Sequence, residues 1–152
     1  MSIFPTKILL AADGSEEATL AAETAIELAN KMDSELHVLY VAMVAVVPYS
    51  TNFHEENYVG GYVQEQKELN RIAQGVLDEQ VRNIEASGGS VAQAHLGIGR
   101  PEAAITDLAE EIGAGLIVMG SRGVGGIKRT LMGSVSESVV RHAHCPVFVI
   151  RK

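Results

Sequence analysis

The sequence predicts an α/β fold, an open five-stranded parallel sheet with helices on both faces. Three observations lead there. Apolar runs alternate with helical patterns in the order βαβαβαβαβ. The first and fourth runs, KILLAAD and GLIVMG, are apolar at nearly every position, as strands buried on both faces must be. Each of these two runs ends in a polar, glycine-containing turn, at Asp13-Gly14 and Gly120-Ser121. Crossovers between parallel strands are right-handed, and ligands of such sheets bind beyond the strand carboxyl ends, where strand order reverses. If strands one and four are neighbours, both turns meet at one crevice.

Each element has a local reason. Lys7–Asp13 is the first strand. SEEATLAAETAIELANKM follows as a helix, with Ala18, Ala21, Ala22, Ala25, Ile26 and Ala29 at helical spacing. Glu16 and Glu17 stand in its first turn and Lys31 in its last, as the helix dipole favours. Glu35–Val44 is the second strand. Residues 45–62 mix Pro, Gly, Asn and aromatic residues without a period, which predicts a long loop holding Tyr49, Phe53, Tyr58 and Tyr62. Gln64–Ser87 is an amphipathic helix whose buried stripe is Leu69, Ile72, Ala73, Val76, Leu77, Val81 and Ile84. Gly88-Gly89 ends it.

SVAQAHLG alternates and makes the third strand. A helix then opens at Pro101 and closes at Gly113. After GLIVMG comes a final helix from near Ser134, and PVFVIRK is the fifth strand. No internal repeat or low-complexity tract interrupts residues 1–152, which read as a single domain.

Composition narrows the function classes. The formal net charge of −7 repels a polyanion, so nucleic acid is not the expected partner. The one cysteine, Cys145, cannot form an internal disulfide. The longest apolar run, Val38–Tyr49, is too short to cross a bilayer, and the N-terminus lacks a signal-peptide layout. The expectation is a cytoplasmic protein with no membrane contact.

The segment GSRGVGGIKRTLMGSVSES, 120–138, carries the chemistry. It holds five glycines, three cations (Arg122, Lys128, Arg129) and four serines. Glycines let the backbone approach an anion closely. Gly133-Ser134-Val135-Ser136 stands at a helix start, where unpaired amides and the positive dipole end favour a phosphate. The hydroxyls of Ser134 and Ser136 can donate as well. Helix capping by Ser15, Ser134 or Asp13 is the plainer reading of those residues.

Other nucleotide signatures fail. Walker A needs Gly before its Lys, and Ile127 stands there. The dinucleotide pattern needs the first strand to lead into it, but that strand leads to DGSEEA. A phosphoacceptor role for Asp13 would need a carboxylate after strand three, where His95-Leu96-Gly97 stands. His142, His144 and Cys145 lack metal-ligand spacing, and the sequence suggests no partner for His37 or His95. There is no G-x-S-x-G elbow, and no catalytic residue is assigned.

Gly120-x2-Gly123-x9-Gly133-Ser134 resembles the ATP-binding signature of universal stress protein domains. The likeness extends over ILLAADGSEEA, GRPEAAI, LIVMGSRG and LMGSVSESVVRHAHCPVFVI. It implies a Rossmann-like sheet in the order 3-2-1-4-5 and a homodimer paired through the last strands, 147–150. It also implies the ATP-binding branch of the family, with Mg2+ or Mn2+ accompanying ATP. By that resemblance Ala11, Ala12 and Asp13 lie against the nucleoside, and Val41 meets adenine through its backbone. Met119, Gly120, Arg122 and Gly123 line ribose and phosphates, while Gly133, Ser134, Val135 and Ser136 hold the β and γ phosphates.

The leading reading is a nucleotide-dependent stress-response binding module. The alternatives are a slow ATPase or phosphotransferase, and a binder of AMP or cyclic AMP. The sequence names neither a metal ligand nor a downstream protein partner.

Overall fold

Among the described residues, five parallel strands and four helices alternate along the chain. A computed structural model describes residues 5–42, 55–121 and 133–152, with only the helical course given for 55–62. The strands are β1 (Lys7–Ala12), β2 (Glu35–Ala42), β3 (Val91–Ile98), β4 (Leu116–Gly120) and β5 (Val147–Ile150). The helices are α1 (Glu16–Met32), α2 (Glu55–Ala86), α3 (Pro101–Ile112) and α4 (Ser134–His142). The sheet order is β3-β2-β1-β4-β5, as the resemblance implies. β1 and β4 are therefore neighbours at the reversal of strand order.

Two apolar layers cover the sheet. Ile8, Leu10, Val38 and Val118 face α1 and α2, meeting Ala21, Ala25, Ile26, Leu77 and Ile84. Leu9, Leu39, Ile117 and Met119 face α3 and α4, meeting Ile105, Ala109 and Val139. Alternate residues of each central strand thus point to opposite layers, which is why KILLAAD and GLIVMG are apolar at nearly every position. Burying an Ile or Leu side chain contributes about 1.5–3 kcal/mol, so these central positions dominate the core.

The helix ends follow their sequence signals. The Ser15 hydroxyl caps α1 by accepting from the Ala18 amide at 3.1 Å. Pro101 opens α3, and Gly113 closes it at φ 70°. The chain leaves α2 through Gly88 at φ 93°, and the Gly89 amide donates to the Ile84 carbonyl at 2.9 Å.

Two expectations need correction. Residues 55–62, predicted as loop, belong to α2, whose 32 residues make it about 48 Å long. The mixture of Pro, Gly, Asn and aromatic residues without a period suggested a loop. Extending a helix that already exists is far easier than nucleating one, so the Glu- and Gln-rich turns beyond carry it through. The predicted loop's residues 45–54, and the end of strand two at 43–44, lie outside the described residues. The second correction is Ile72, placed in the buried stripe but 52% exposed, while Ala73, Leu77 and Ile84 are buried as predicted. The true stripe is narrower than the apolar pattern suggested.

Gly75 lies inside α2, and a Cβ built there would meet nothing within 4 Å. Gly75→Ala is expected to raise stability by about 0.5–1 kcal/mol, because it removes a helix-weakening glycine at no steric cost. Denaturant unfolding with an unchanged slope checks this.

Candidate functional site

Strand register brings the predicted residues to one level of the sheet. β1 pairs with β4 from Ile8 opposite Leu116 to Leu10 opposite Val118, two residues before the strands end at Ala12 and Gly120. β1 pairs with β2 as far as Ala12 opposite Tyr40, one residue before Asp13 and Val41 in their respective segments. The carboxyl ends of β1, β2 and β4 thus form one rim.

The rim is held by contacts between distant segments. Gly120 allows the start of α1 to lie against the end of β4. A Cβ there would come 2.9 Å from the Glu17 Cβ, 3.1 Å from the Glu17 carbonyl carbon and 3.2 Å from the Ala18 nitrogen. The Ser121 hydroxyl donates to the buried Glu17 carboxylate at 2.5 Å. The Ser121 amide donates to the Ile150 carbonyl at 2.9 Å, joining the ends of β4 and β5.

The start of α4 is fastened to the same point. The Gly133 amide donates to the Ser121 carbonyl at 2.7 Å, and the Ser136 hydroxyl donates to that carbonyl at 2.5 Å. Ser136 also approaches the Gly133 carbonyl at 3.1 Å and is 2% exposed. The Ser136 hydroxyl is therefore directed into the fold. What Ser136 can offer an anion is its backbone amide, a change from the expectation that its side chain donates.

Ser134 does not cap α4, contrary to the capping alternative. Gly133 is the N-cap, and no side chain caps the helix among the described residues. The first intrahelical bond is from the Glu137 amide to the Gly133 carbonyl, at 3.0 Å. This leaves the amides of Ser134, Val135 and Ser136 without intrahelical acceptors, at the positive end of a nine-residue helix. Ser134 is exposed and Val135 half-buried. Glu137 is exposed and pairs with Arg141 at 2.8 Å.

On the β1 side, Asp13 is exposed and its Oδ1 accepts from the Ser15 amide at 2.9 Å. The carboxylate braces the turn, while Ser15 caps the helix. Gly14 takes φ 81°, which lets the chain reverse directly above the rim. Ala11 and Val41 are partly buried against the α3–α4 layer, and Met119 is 5% exposed there. Ala12 is buried in the opposite layer. The structure thus brings Ala11, Ala12, Asp13, Val41, Met119, Gly120 and 133–136 to one end of the sheet. Arg122, Gly123, Lys128 and Arg129 lie outside the described residues.

The sequence profile of the Universal stress protein family matches residues 5–151. The chain belongs to this family. It is 34% identical over 146 residues to universal stress protein YxiE of Bacillus subtilis (strain 168), covering 95% of this chain and 98% of that one. The structure is similar to that of universal stress protein UspA from Lactobacillus plantarum, with TM-score 0.79 and 25% identity over 99% of this chain and 100% of that chain. A universal stress protein from Archaeoglobus fulgidus, described in complex with dAMP, shares the fold at TM-score 0.61 and 24% identity. That match covers 98% of this chain and 100% of the other.

Sequence reasoning missed Glu17, placed at the helix start for its charge alone. Its partner Ser121 is 104 positions away, so no local pattern announces the pair. It also missed the partners of His37 and His95, which lie beside each other on β2 and β3.

Proposed function

We propose that this universal stress protein is an ATP-binding regulatory module that acts by changing its contacts with nucleotide state. The observation that carries the reading is the start of α4, which no side chain caps among the described residues, fastened by the Gly133 amide to Ser121 next to the β1–β4 reversal. The whole segment 120–138, with its glycine amides, serines and three cations, carries more donors than one phosphate requires, which favours a triphosphate over AMP or cyclic AMP. Asp13 stands exposed on the β1 side of the same rim, where an acceptor-only carboxylate suits nucleoside hydroxyl or amino donors. The dAMP described with the Archaeoglobus relative supports an adenine nucleotide as the ligand class. Arg122, Gly123, Lys128 and Arg129 complete the phosphate segment in this reading.

Mg2+ or Mn2+ fits as a companion of the phosphates. Among the described residues, no group of three or more His, Cys, Asp or Glu side chains is arranged to hold a metal. The ion would therefore rest chiefly on phosphate oxygens and water, as Mg2+ commonly does.

The same reading includes a cytoplasmic homodimer. β5 is an edge strand, and Phe148 on it and Val140 on α4 are 45% and 47% exposed. An apolar edge strand is a template for pairing with a second copy. Among the described residues, no helix is long and apolar enough to cross a membrane.

Calorimetric titration of two serine variants tests the phosphate assignment. Ser134→Ala is expected to weaken ATP more than AMP, with stability within about 0.5 kcal/mol of the parent. Ser136→Ala is expected to keep ATP affinity, since its amide remains, but to lose about 1 kcal/mol of stability with its buried hydroxyl bonds. Equal losses of ATP and AMP in Ser134→Ala would show that the phosphate end lies elsewhere.

A further inference from the structure

At the opposite end of the sheet, the structure holds a polar chain that the nucleotide reading does not use. His37 is buried on β2, with its Nε2 3.2 Å from a carboxylate oxygen of Glu35. Its Nδ1 lies 3.1 Å from Nε2 of His95 on the edge strand β3. The ring centres are 5.4 Å apart and the ring planes differ by 19°. That separation is the nitrogen distance plus the two ring radii, so the rings meet edge to edge, nearly in line. A hydrogen bond has this shape. Two lone pairs converging on a metal to one side do not.

The surrounding groups set the proton arrangement. Glu35 accepts from His37 Nε2–H, which leaves His37 Nδ1 as the acceptor for His95 Nε2–H. Lys7 on β1 is the register partner of Glu35, and Leu9 that of His37. From β3, Gln93 is opposite His37. From α3, Glu111 favours the charged form of His95, but burial first and His37 second hold that imidazole below the ordinary histidine pKa.

The strand junction is irregular at this point. Leu36 pairs with Val91 and His37 with Gln93, so Ala92 is an extra residue on β3. The His37–His95 bond spans β2 and the edge strand just beyond the bulge.

We propose that Glu35, His37 and His95 form a proton-counting latch between β3 and β2. With both imidazoles neutral, one proton occupies the gap between Nδ1 and Nε2. A first added proton gives the pair one positive charge. Whichever ring carries it, one N–H still lies between Nδ1 of His37 and Nε2 of His95, and Glu35 offsets the charge. The gap still holds one proton, so the latch stays closed. A second proton leaves two N–H groups of like charge facing each other with no acceptor between them. The latch opens, and β3 loosens from the bulge onward.

NMR titration of the imidazoles, paired with hydrogen-exchange protection of the Gln93–Leu96 amides corrected for intrinsic exchange, tests this on the full chain. The expected result is two separate histidine steps, with protection constant through the first and falling through the second. In His95→Gln, which cannot titrate, the acid fall in β3 protection is expected to vanish. In Glu35→Gln, the first step is expected at lower pH. A single shared step, loss of protection in the first step, an acid fall that persists in His95→Gln, or a first step unmoved in Glu35→Gln would each overturn the latch.

Discussion

Gly120→Val is expected to cost about 3 kcal/mol, lowering the thermal midpoint by roughly 6–12 °C for a domain of this size. The cause is steric. The new Cβ would meet the Glu17 Cβ at 2.9 Å and the α1 backbone at 3.1 and 3.2 Å, and backbone does not rotate aside. Helix α1 must then retreat from β4, which separates Ser121 from Glu17 and tilts the anchor of α4. Nucleotide affinity is expected to fall as well, even in the folded fraction. Calorimetric melting read beside nucleotide titration checks both parts. A variant that melts with the parent would show that α1 does not lie against β4 as described.

Asp13→Ala carries the second large effect, on binding rather than stability. Hydrogen bonds to a charged acceptor contribute about 1.5–3 kcal/mol, so loss of the carboxylate is expected to weaken ATP by about 10- to 100-fold. Stability is expected to fall by no more than about 1 kcal/mol, because the Ser15 cap of α1 remains and only the exposed bond to the Ser15 amide is lost. Unchanged ATP affinity in a calorimetric titration would place the nucleoside away from β1.

The fold was legible because its strands differ physically from its helices. KILLAAD and GLIVMG feed alternate residues into two layers, and only strands buried on both faces need that pattern. The start of α2 was illegible because Pro, Gly, Asn and aromatic residues mix without a period locally, while cooperativity with later turns overrides it. Ile72 shows the limit of periodicity, which reports a stripe but not how much of it the sheet covers.

The placing of the candidate residues at one end of the sheet was legible in outline, and their bracing was not. Glycines and a helix start beyond an apolar strand point to a candidate anion site by composition alone. The direction of the Ser136 hydroxyl depends on where Ser121 lies, 15 positions earlier, which no local pattern reports. Glu17–Ser121 and His37–His95 are pairings across elements, so only the assembled sheet shows them.

The most direct test of the nucleotide site is an amide NMR titration with ATP. The account predicts that Asp13, Ser134, Val135 and Ser136 respond together, along one binding curve, because one molecule bridges β1 and the start of α4. Responses at 134–136 and at Asp13 that follow different curves, or an α4 start that does not respond, would contradict it.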